Sequence, residues 1–273
     1  MTAIDESGFV ALTRAVSTRA GLALGAYKEK CVQRRIAVRM RACGVHTYGD
    51  YLALLEQTPA ELDRLTDTLT INVTRFFRNA ETWHAVRAIV LPALGREPGS
   101  GLRAWSAGCS SGEEPYSLAV LAAQWLEERE DWPALGRLQI DATDIDRASL
   151  QRAEQGWYRP ETVADVPPEL LTRHFTMDGD GFRVNETLRS RVRVRRVDLN
   201  LQPPLRQDYD LILCRNVLIY FDRATQERLC RVFDGALAPG GYLVLGKVET
   251  LFGEVRDRFT LVDARERIYR RCA

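Results

Sequence analysis

Histidine is scarce in this chain: three residues, at 46, 84 and 174, stand far from one another. The six cysteines, at 31, 43, 109, 214, 230 and 272, include no Cys-x-x-Cys pair. Such spacing suggests neither a zinc site nor a disulfide scaffold, and the thiols are expected to be reduced. Charge of one sign is missing too, since a net +1 gives no global argument for nucleic acid and leaves electrostatic targeting to local patches. No apolar run approaches the ~20 residues of a membrane span. Residues 1–8 lack the basic segment and apolar core of a secretory leader, so a cytoplasmic location is expected. Repeats and low-complexity segments do not occur.

What is present is an alternation of apolar strands and polar loops. With 273 residues and 45% hydrophobic content, the chain can hold one large α/β domain and a small accessory one. Residues 1–78 read as helical, with Phe9, Leu12 and Val16 on one helix face and Val32, Ile36 and Met40 on another. A connecting helix near Trp83 to Leu94 leads to Pro98-Gly99-Ser100-Gly101. Strands are then expected at 102–106, 138–143, 192–197, 209–214 and 241–246, and helices at 114–130, 146–155, 223–237 and 248–256. This is the pattern of a parallel, doubly wound sheet. Residues 259–262 and 267–270 predict a terminal antiparallel hairpin. The insertion at 157–191 contains Gly181–Val184 and 191–194, which could pair as a small sheet.

In open α/β sheets, ligands sit outside the carboxyl ends of the strands, where glycines let the backbone approach and a helix N-terminus offers free N–H groups. Two loops fit: Ala107-Gly108-Cys109-Ser110-Ser111-Gly112-Glu113-Glu114-Pro115 after the first strand, and Cys214-Arg215-Asn216 after the fourth. The spacing from Gly108 to Gly112 is not Gly-x-Gly-x-x-Gly, and it suits a nucleoside better than a dinucleotide pyrophosphate. Cys109 and Cys214 read as small residues near turns rather than redox groups. Asp144 ends the second strand, where a carboxylate can accept from both ribose hydroxyls. Capping of the next helix is its other possible role, although Asp146 is available for that. Glu113 and Glu114 also suit the positive end of a helix dipole.

Four separated segments carry a family likeness: Asn72-Val73-Thr74-Arg75-Phe76-Phe77-Arg78, Gly112-Glu113-Glu114-Pro115-Tyr116, Ala142-Thr143-Asp144-Ile145-Asp146 and Cys214-Arg215-Asn216-Val217-Leu218-Ile219-Tyr220-Phe221-Asp222. Through them the chain closely resembles the CheR family of chemotaxis receptor methyltransferases, over most of its length and in the family's motif order. The resemblance implies a class I S-adenosylmethionine (SAM) methyltransferase, an α/β Rossmann-like sheet with a terminal antiparallel hairpin at 79–273. A small all-α domain at 1–78 would precede it, and a small antiparallel β insertion would interrupt it at 157–191.

The implied reaction transfers a methyl group from SAM to glutamate side chains of chemoreceptors or receptor-like signalling proteins, leaving S-adenosylhomocysteine. A glutamate is already ionised at neutral pH, so no general base is needed, and catalysis would come from alignment and removal of water. The family pattern implies cofactor contacts from Asn72, Thr74, Arg78, Gly108, Asp144, Asn200, Leu201, Arg215 and Asn216. Either Glu113 or Glu114 would hold the methionine amino group, Glu114 being favoured. Tyr220 and Arg78 would act on the acceptor side, and no metal is implied. One departure stands out: Gly246-Lys247-Val248-Glu249 occurs where the family usually reads Gly-His-Ser-Glu.

For partner recognition, Lys28, Arg35 and Arg39 fall on one side of the second helix and Lys30, Arg34 and Arg41 on another. The edge of Lys28, Arg35 and Arg39 is expected to dock on the acidic cytoplasmic helices of a receptor, without nucleic acid or membrane insertion. In some family members the inserted sheet binds a receptor's tethering peptide by strand addition; here the turn Met177-Asp178-Gly179-Asp180-Gly181 is short beside their loops, so recognition is expected to rest on the basic helix more than on a tether. A second basic row, Arg191, Arg193 and Arg195, alternates with Val192 and Val194 along one strand face. Two other functions share the fold: a methyltransferase of another acceptor, and a SAM-binding module without turnover, which the Lys247-Val248 departure motivates.

Overall fold

The computed structural model describes residues 5–70, 73–95 and 101–272. The chain divides into two compact units, residues 1–71 with 220–225, and residues 72–219 with 226–273.

The first unit contains α1 (Glu6–Ala20), α2 (Glu29–Ala42), α3 (Tyr48–Gln57) and α4 (Pro59–Leu69). Asp5 caps α1 by accepting from the Gly8 amide, and Gly21 closes it in the left-handed conformation, φ 67°. Leu12, Ile36, Tyr51 and Leu65 are fully buried between the helices. A polar knot lies among them: the buried Glu61 carboxylate accepts from the Tyr51 hydroxyl at 2.8 Å and from Arg39 at 2.9 and 2.6 Å. Arg35 donates to the carbonyls of Thr68 and Leu69 at 2.6 and 2.9 Å, groups that the end of α4 leaves unpaired.

These bonds correct the expected docking edge. Arg35 and Arg39 are structural, because a buried carboxylate and a helix C-terminus hold them, while Lys30, Arg34 and Arg41 are exposed. The helical stretch also stops at Leu69, and residues 73–79 are irregular. Within the second unit, the buried Phe76 ring meets Tyr158 and Phe175 at centroid distances of 4.8 and 5.4 Å.

In the second unit, α5 (Ala80–Ala85) runs through a π-turn into α6 (Leu91–Leu94). There follow β1 (Arg103–Ala107), α7 (Glu113–Glu127), α8 (Trp132–Gly136), β2 (Gln139–Asp144) and α9 (Arg147–Gln155). The insertion holds β3 (Trp157–Tyr158), α10 (Pro168–His174), β4 (Phe175–Asp178), β5 (Gly181–Val184) and α11 (Glu186–Arg189). The main sheet resumes with β6 (Val192–Arg196), β7 (Tyr209–Cys214), α12 (Arg223–Ala236), β8 (Leu237–Leu245), β9 (Phe259–Asp263) and β10 (Ile268–Arg271).

The seven-stranded sheet runs β6-β2-β1-β7-β8-β10-β9, parallel from β6 to β8. The β9–β10 hairpin then joins it antiparallel, as the terminal pattern predicts. The central strands are buried on both faces, which is why they read as continuous apolar runs.

Two expected elements differ. The small sheet has the order β3-β5-β4, so 181–184 pairs with 157–158 and 175–178, not with 191–194. The tight turn at Gly179, φ 63°, makes the local hairpin, while Val192 and Val194 are buried in the main sheet beside β2. The helix expected at 248–256 is replaced by turns and a 3₁₀ segment, Gly253–Arg258, because Glu249 folds back onto a neighbouring loop. No helix among the described residues is long and apolar enough to cross a membrane.

Candidate active site

The carboxyl ends of β1, β2, β6, β7 and β8 build the site. After β1 the chain turns at Gly108, φ 84°, where an added Cβ would lie 2.4 Å from Val217. At Gly112, φ 97°, an added Cβ would lie 2.7 Å from the Tyr158 hydroxyl oxygen. Only glycine fits either backbone and its neighbours. The Gly108 and Cys109 amides donate to the Thr143 carbonyl at 2.8 and 2.9 Å, which ties this loop to the end of β2.

Asp144 lies beside that tie. One of its carboxylate oxygens accepts from the Ser110 amide at 2.8 Å and the other from the Asp146 amide at 3.0 Å. Each oxygen keeps a further lone pair, so two hydroxyl donors can still be accepted. Burial raises the Asp144 pKa, against the lowering effect of the backbone amides. Capping of α9 falls to Asp146, which accepts from the Ser149 amide at 2.7 Å.

Glu113 and Glu114 open α7. The Ser111 hydroxyl meets both oxygens of Glu113 at 2.9 Å, and burial raises its pKa against hydrogen bonds from its own backbone, Ser111 and Thr74. Glu114 accepts from the Ser106 hydroxyl at 2.8 Å and from Arg215 at 3.4 Å. Burial raises its pKa too, and the charge of Arg215 opposes the rise.

Arg215, at the end of β7, also donates to the Arg78 carbonyl at 2.7 Å and to the Asn79 side chain at 3.2 Å. Its guanidinium carbon lies 5.4 Å from the Trp83 ring centroid. Its Nε is buried without a partner. The Arg78 side chain donates back to the Val73 carbonyl at 2.8 Å. Arg78, Glu114 and Arg215 therefore form one polar group, with Thr74 nearby through Glu113. Asn72 lies outside the described residues.

After β6, the Asn200 amide donates to Asp198 at 2.8 Å and its side-chain oxygen accepts from Arg228 at 2.7 Å. The Asn200 Nδ2 and one Asp198 oxygen are buried without partners, and Leu201 is 65% exposed beside them. Asn216 adopts φ 61°, a conformation that asparagine tolerates, so a backbone reason exists for this residue type. The Cys109 and Cys214 thiols are buried and pushed well above their ordinary pKa, mainly by burial, which keeps them protonated at neutral pH. Tyr220 belongs to the first unit. There Arg35 lies over its ring at 5.9 Å and its carbonyl accepts from the Lys28 amide at 2.8 Å.

Sequence reasoning passed over Glu249. Its buried carboxylate accepts from the amides of Gly246 at 2.6 Å, Asn216 at 2.9 Å and Ile219 at 3.2 Å, and so shapes the loop after β7. The readable signal was a carboxylate three residues beyond a strand-ending glycine. Tyr158, from the insertion, was missed as well; its hydroxyl donates to the Ser111 carbonyl at 2.8 Å and supports the first loop.

A glycine-lined first loop, a carboxylate at the end of β2 and unpartnered polar atoms at the end of β6 fit a nucleoside. The parallel sheet finished by an antiparallel hairpin is the arrangement that the resemblance implies for a class I SAM-dependent methyltransferase. The sequence comparisons narrow the class. Residues 72–268 match the family model "CheR methyltransferase, SAM binding domain", and residues 7–70 match "CheR methyltransferase, all-alpha domain". The chain belongs to the CheR methyltransferase family. It is 37% identical to the chemotaxis protein methyltransferase of Klebsiella aerogenes over 93% of this chain and 87% of that one. Identity to the Escherichia coli chemotaxis protein methyltransferase is 36%, over 95% and 89% of the two chains. For the Listeria monocytogenes protein of the same description it is 35%, over 90% and 91%.

Proposed function

We propose that this protein esterifies glutamate side chains of chemoreceptors or receptor-like signalling proteins in the cytoplasm, giving glutamate methyl esters. The observation that carries the reading is the convergence of Gly108, Asp144 and the Glu114–Arg215 pair on one end of the sheet, in a chain that belongs to the CheR family. SAM supplies an electrophilic methyl group on a sulfonium centre. Asp144 would accept from both ribose hydroxyls, and Gly108 would let the backbone approach. Asn200 and Leu201 would flank the base. Glu114 would take the amino group, with Arg215 fixing the carboxylate's orientation. Thr74 and Arg78 would close the cofactor from the segment before α5, with Asn216 shaping the loop beside it. Tyr220 and Arg78 would orient the acceptor carboxylate, which attacks in its ionised form. Positioning and exclusion of water therefore carry the rate. The exposed Lys30, Arg34 and Arg41 suit an acidic receptor helix.

The test is incubation with methyl-labelled SAM and receptor-containing membranes, followed by mild alkali. Protein-bound label released as volatile methanol supports an ester on glutamate. Label stable to alkali, label on small molecules only, or cofactor binding without any transfer would each replace this reading.

A further inference from the structure

Five arginines run from α11 through the turn after it into β6: Arg189, Arg191, Arg193, Arg195 and Arg196. Two are engaged, since Arg189 pairs with Glu186 at 3.1 Å and Arg191 donates to the Gly136 carbonyl at 2.7 Å. The other three are exposed and form no ion pair with a described residue. Arg195 and Arg196 reach only backbone carbonyls, those of Val194 and Ile145, at 3.3 and 3.1 Å. These three guanidinium groups therefore have no ion-pair partner among the described residues.

The strand that carries them, β6, is the last of the seven-stranded sheet. Its pairing with β2 uses the main chain of alternate residues. The Ile140 amide donates to the Arg191 carbonyl at 2.8 Å, and the Val197 amide to the Asp144 carbonyl at 2.9 Å. The peptide groups of Val192, Val194 and Arg196 accordingly turn away from the sheet. The connection from β6 to β7 contains no helix, unlike the connections after β1, β2 and β7. A concavity of about 270 Å³ lies beside β6, lined by Tyr116, Val194, Arg193 and Arg195 together with the carboxylates Glu154 and Glu186, the latter paired with Arg189.

We propose that β6 is a docking strand for an extended acidic polypeptide segment. The segment adds to the sheet through the outward main-chain groups of Val192, Val194 and Arg196, and sets carboxylates beside Arg193 and Arg195. Charge decides the sign of the partner, and spacing decides its form. Residues two apart on a strand are about 6.6 Å apart, so alternate acidic side chains of an added strand meet the arginines one by one. A nucleic acid would use the charge and leave the main-chain edge idle. This surface is independent of the cofactor assignments and of the methyl acceptor.

The test uses the full chain and a fluorescein-labelled nonapeptide of alternating Glu and Val, followed by anisotropy at low salt. Saturable binding is expected, weakened about tenfold or more in the double variant R193E/R195E, whose exposed side chains do not support the fold. The same peptide N-methylated throughout should not bind, because it cannot add as a strand. Both variant and parent should bind S-adenosylhomocysteine equally, which shows the variant is folded. Absence of peptide binding, equal binding by the variant, or equal binding of the N-methylated peptide overturns the proposal. So does preferential capture of a single-stranded oligonucleotide or of phosphatidylserine vesicles, and an edge that binds none of these carries charge only to repel other strands.

Discussion

Asp144→Ala removes a carboxylate whose two oxygens each hold one backbone amide, from Ser110 at 2.8 Å and from Asp146 at 3.0 Å. If the two remaining acceptor positions take the ribose hydroxyls, the variant loses two hydrogen bonds to a charged group, about 1.5–3 kcal/mol each. The sum, about 3–6 kcal/mol, corresponds to a loss of about 10²–10⁴ in affinity for S-adenosylhomocysteine. Calorimetry reads this directly, and urea unfolding reads it independently. At ligand equal to one hundred times the parent dissociation constant, the parent gains about 2.7 kcal/mol and the variant less than about 0.4 kcal/mol. The pKa shift adds a pH test. Burial raises the Asp144 pKa, so on acidification its charge is lost above the ordinary carboxylate value of about 3.9. Affinity should therefore fall with pH in the parent earlier than a normal aspartate predicts, while Asp144→Asn shows no such limb. A folded Asp144→Ala protein that binds S-adenosylhomocysteine as the parent does would refute the assignment.

Glu249→Gln leaves one acceptor oxygen for three amides, so at least one buried N–H loses its partner and the second unit should lose about 1–3 kcal/mol in urea unfolding; no change would show that water replaces the carboxylate. Tyr220→Phe should lower turnover while S-adenosylhomocysteine affinity stays the same, and equal loss of both would make the residue structural. His174 is buried, its Nε2 has no partner, and burial lowers its pKa to about 4. Because the folded state prefers the neutral ring, the associated stability is present above the unfolded pKa of about 6.5 and is lost as pH falls toward the folded value. Between pH 7 and pH 5 the parent should lose about 2 kcal/mol more than His174→Leu, and parallel pH profiles would contradict this.

The sheet was legible because its central strands are apolar on both faces and end in glycine or polar loops. Periodicity located β1, β2, β6, β7 and β8 to within a few residues, and the terminal hairpin as well. It failed where a local turn competed with a distant partner. The strand at 181–184 took its neighbour across the Gly179 turn, which no hydrophobic pattern near 191–194 could announce. The basic edge of α2 failed for another reason. Helical spacing tells which side a residue occupies but not what waits there, and for Arg39 it was Glu61, 22 residues away in the chain. The roles proposed around the cofactor were legible only as motif positions. The pairing of Glu114 with Arg215 and the free acceptor positions of Asp144 depend on backbone placement, which sequence alone does not give.

The departure at Gly246-Lys247-Val248-Glu249 can be weighed by what each position does. Gly246 has no room for a side chain, since an added Cβ would lie 2.5 Å from a Glu249 oxygen and 2.8 Å from the Asn216 amide nitrogen. Glu249 holds three amides, so these two residues are fixed by the geometry of the loop after β7. Lys247 and Val248 are not. Val248 is 76% exposed, and the Lys247 ammonium turns to Glu81 at 3.3 Å and Glu266 at 3.2 Å. Glu266 in turn accepts from the Thr82 hydroxyl at 2.5 Å, so Lys247 joins α5 to the terminal hairpin. Replacement of the family's usual His-Ser pair thus falls on positions that the loop does not need for its shape. Only that replacement motivated a SAM-binding module without turnover. With Gly246 and Glu249 in place, the loop that carries Asn216 is held by the same three amide bonds whatever stands at 247 and 248, and the departure gives no structural ground for loss of turnover.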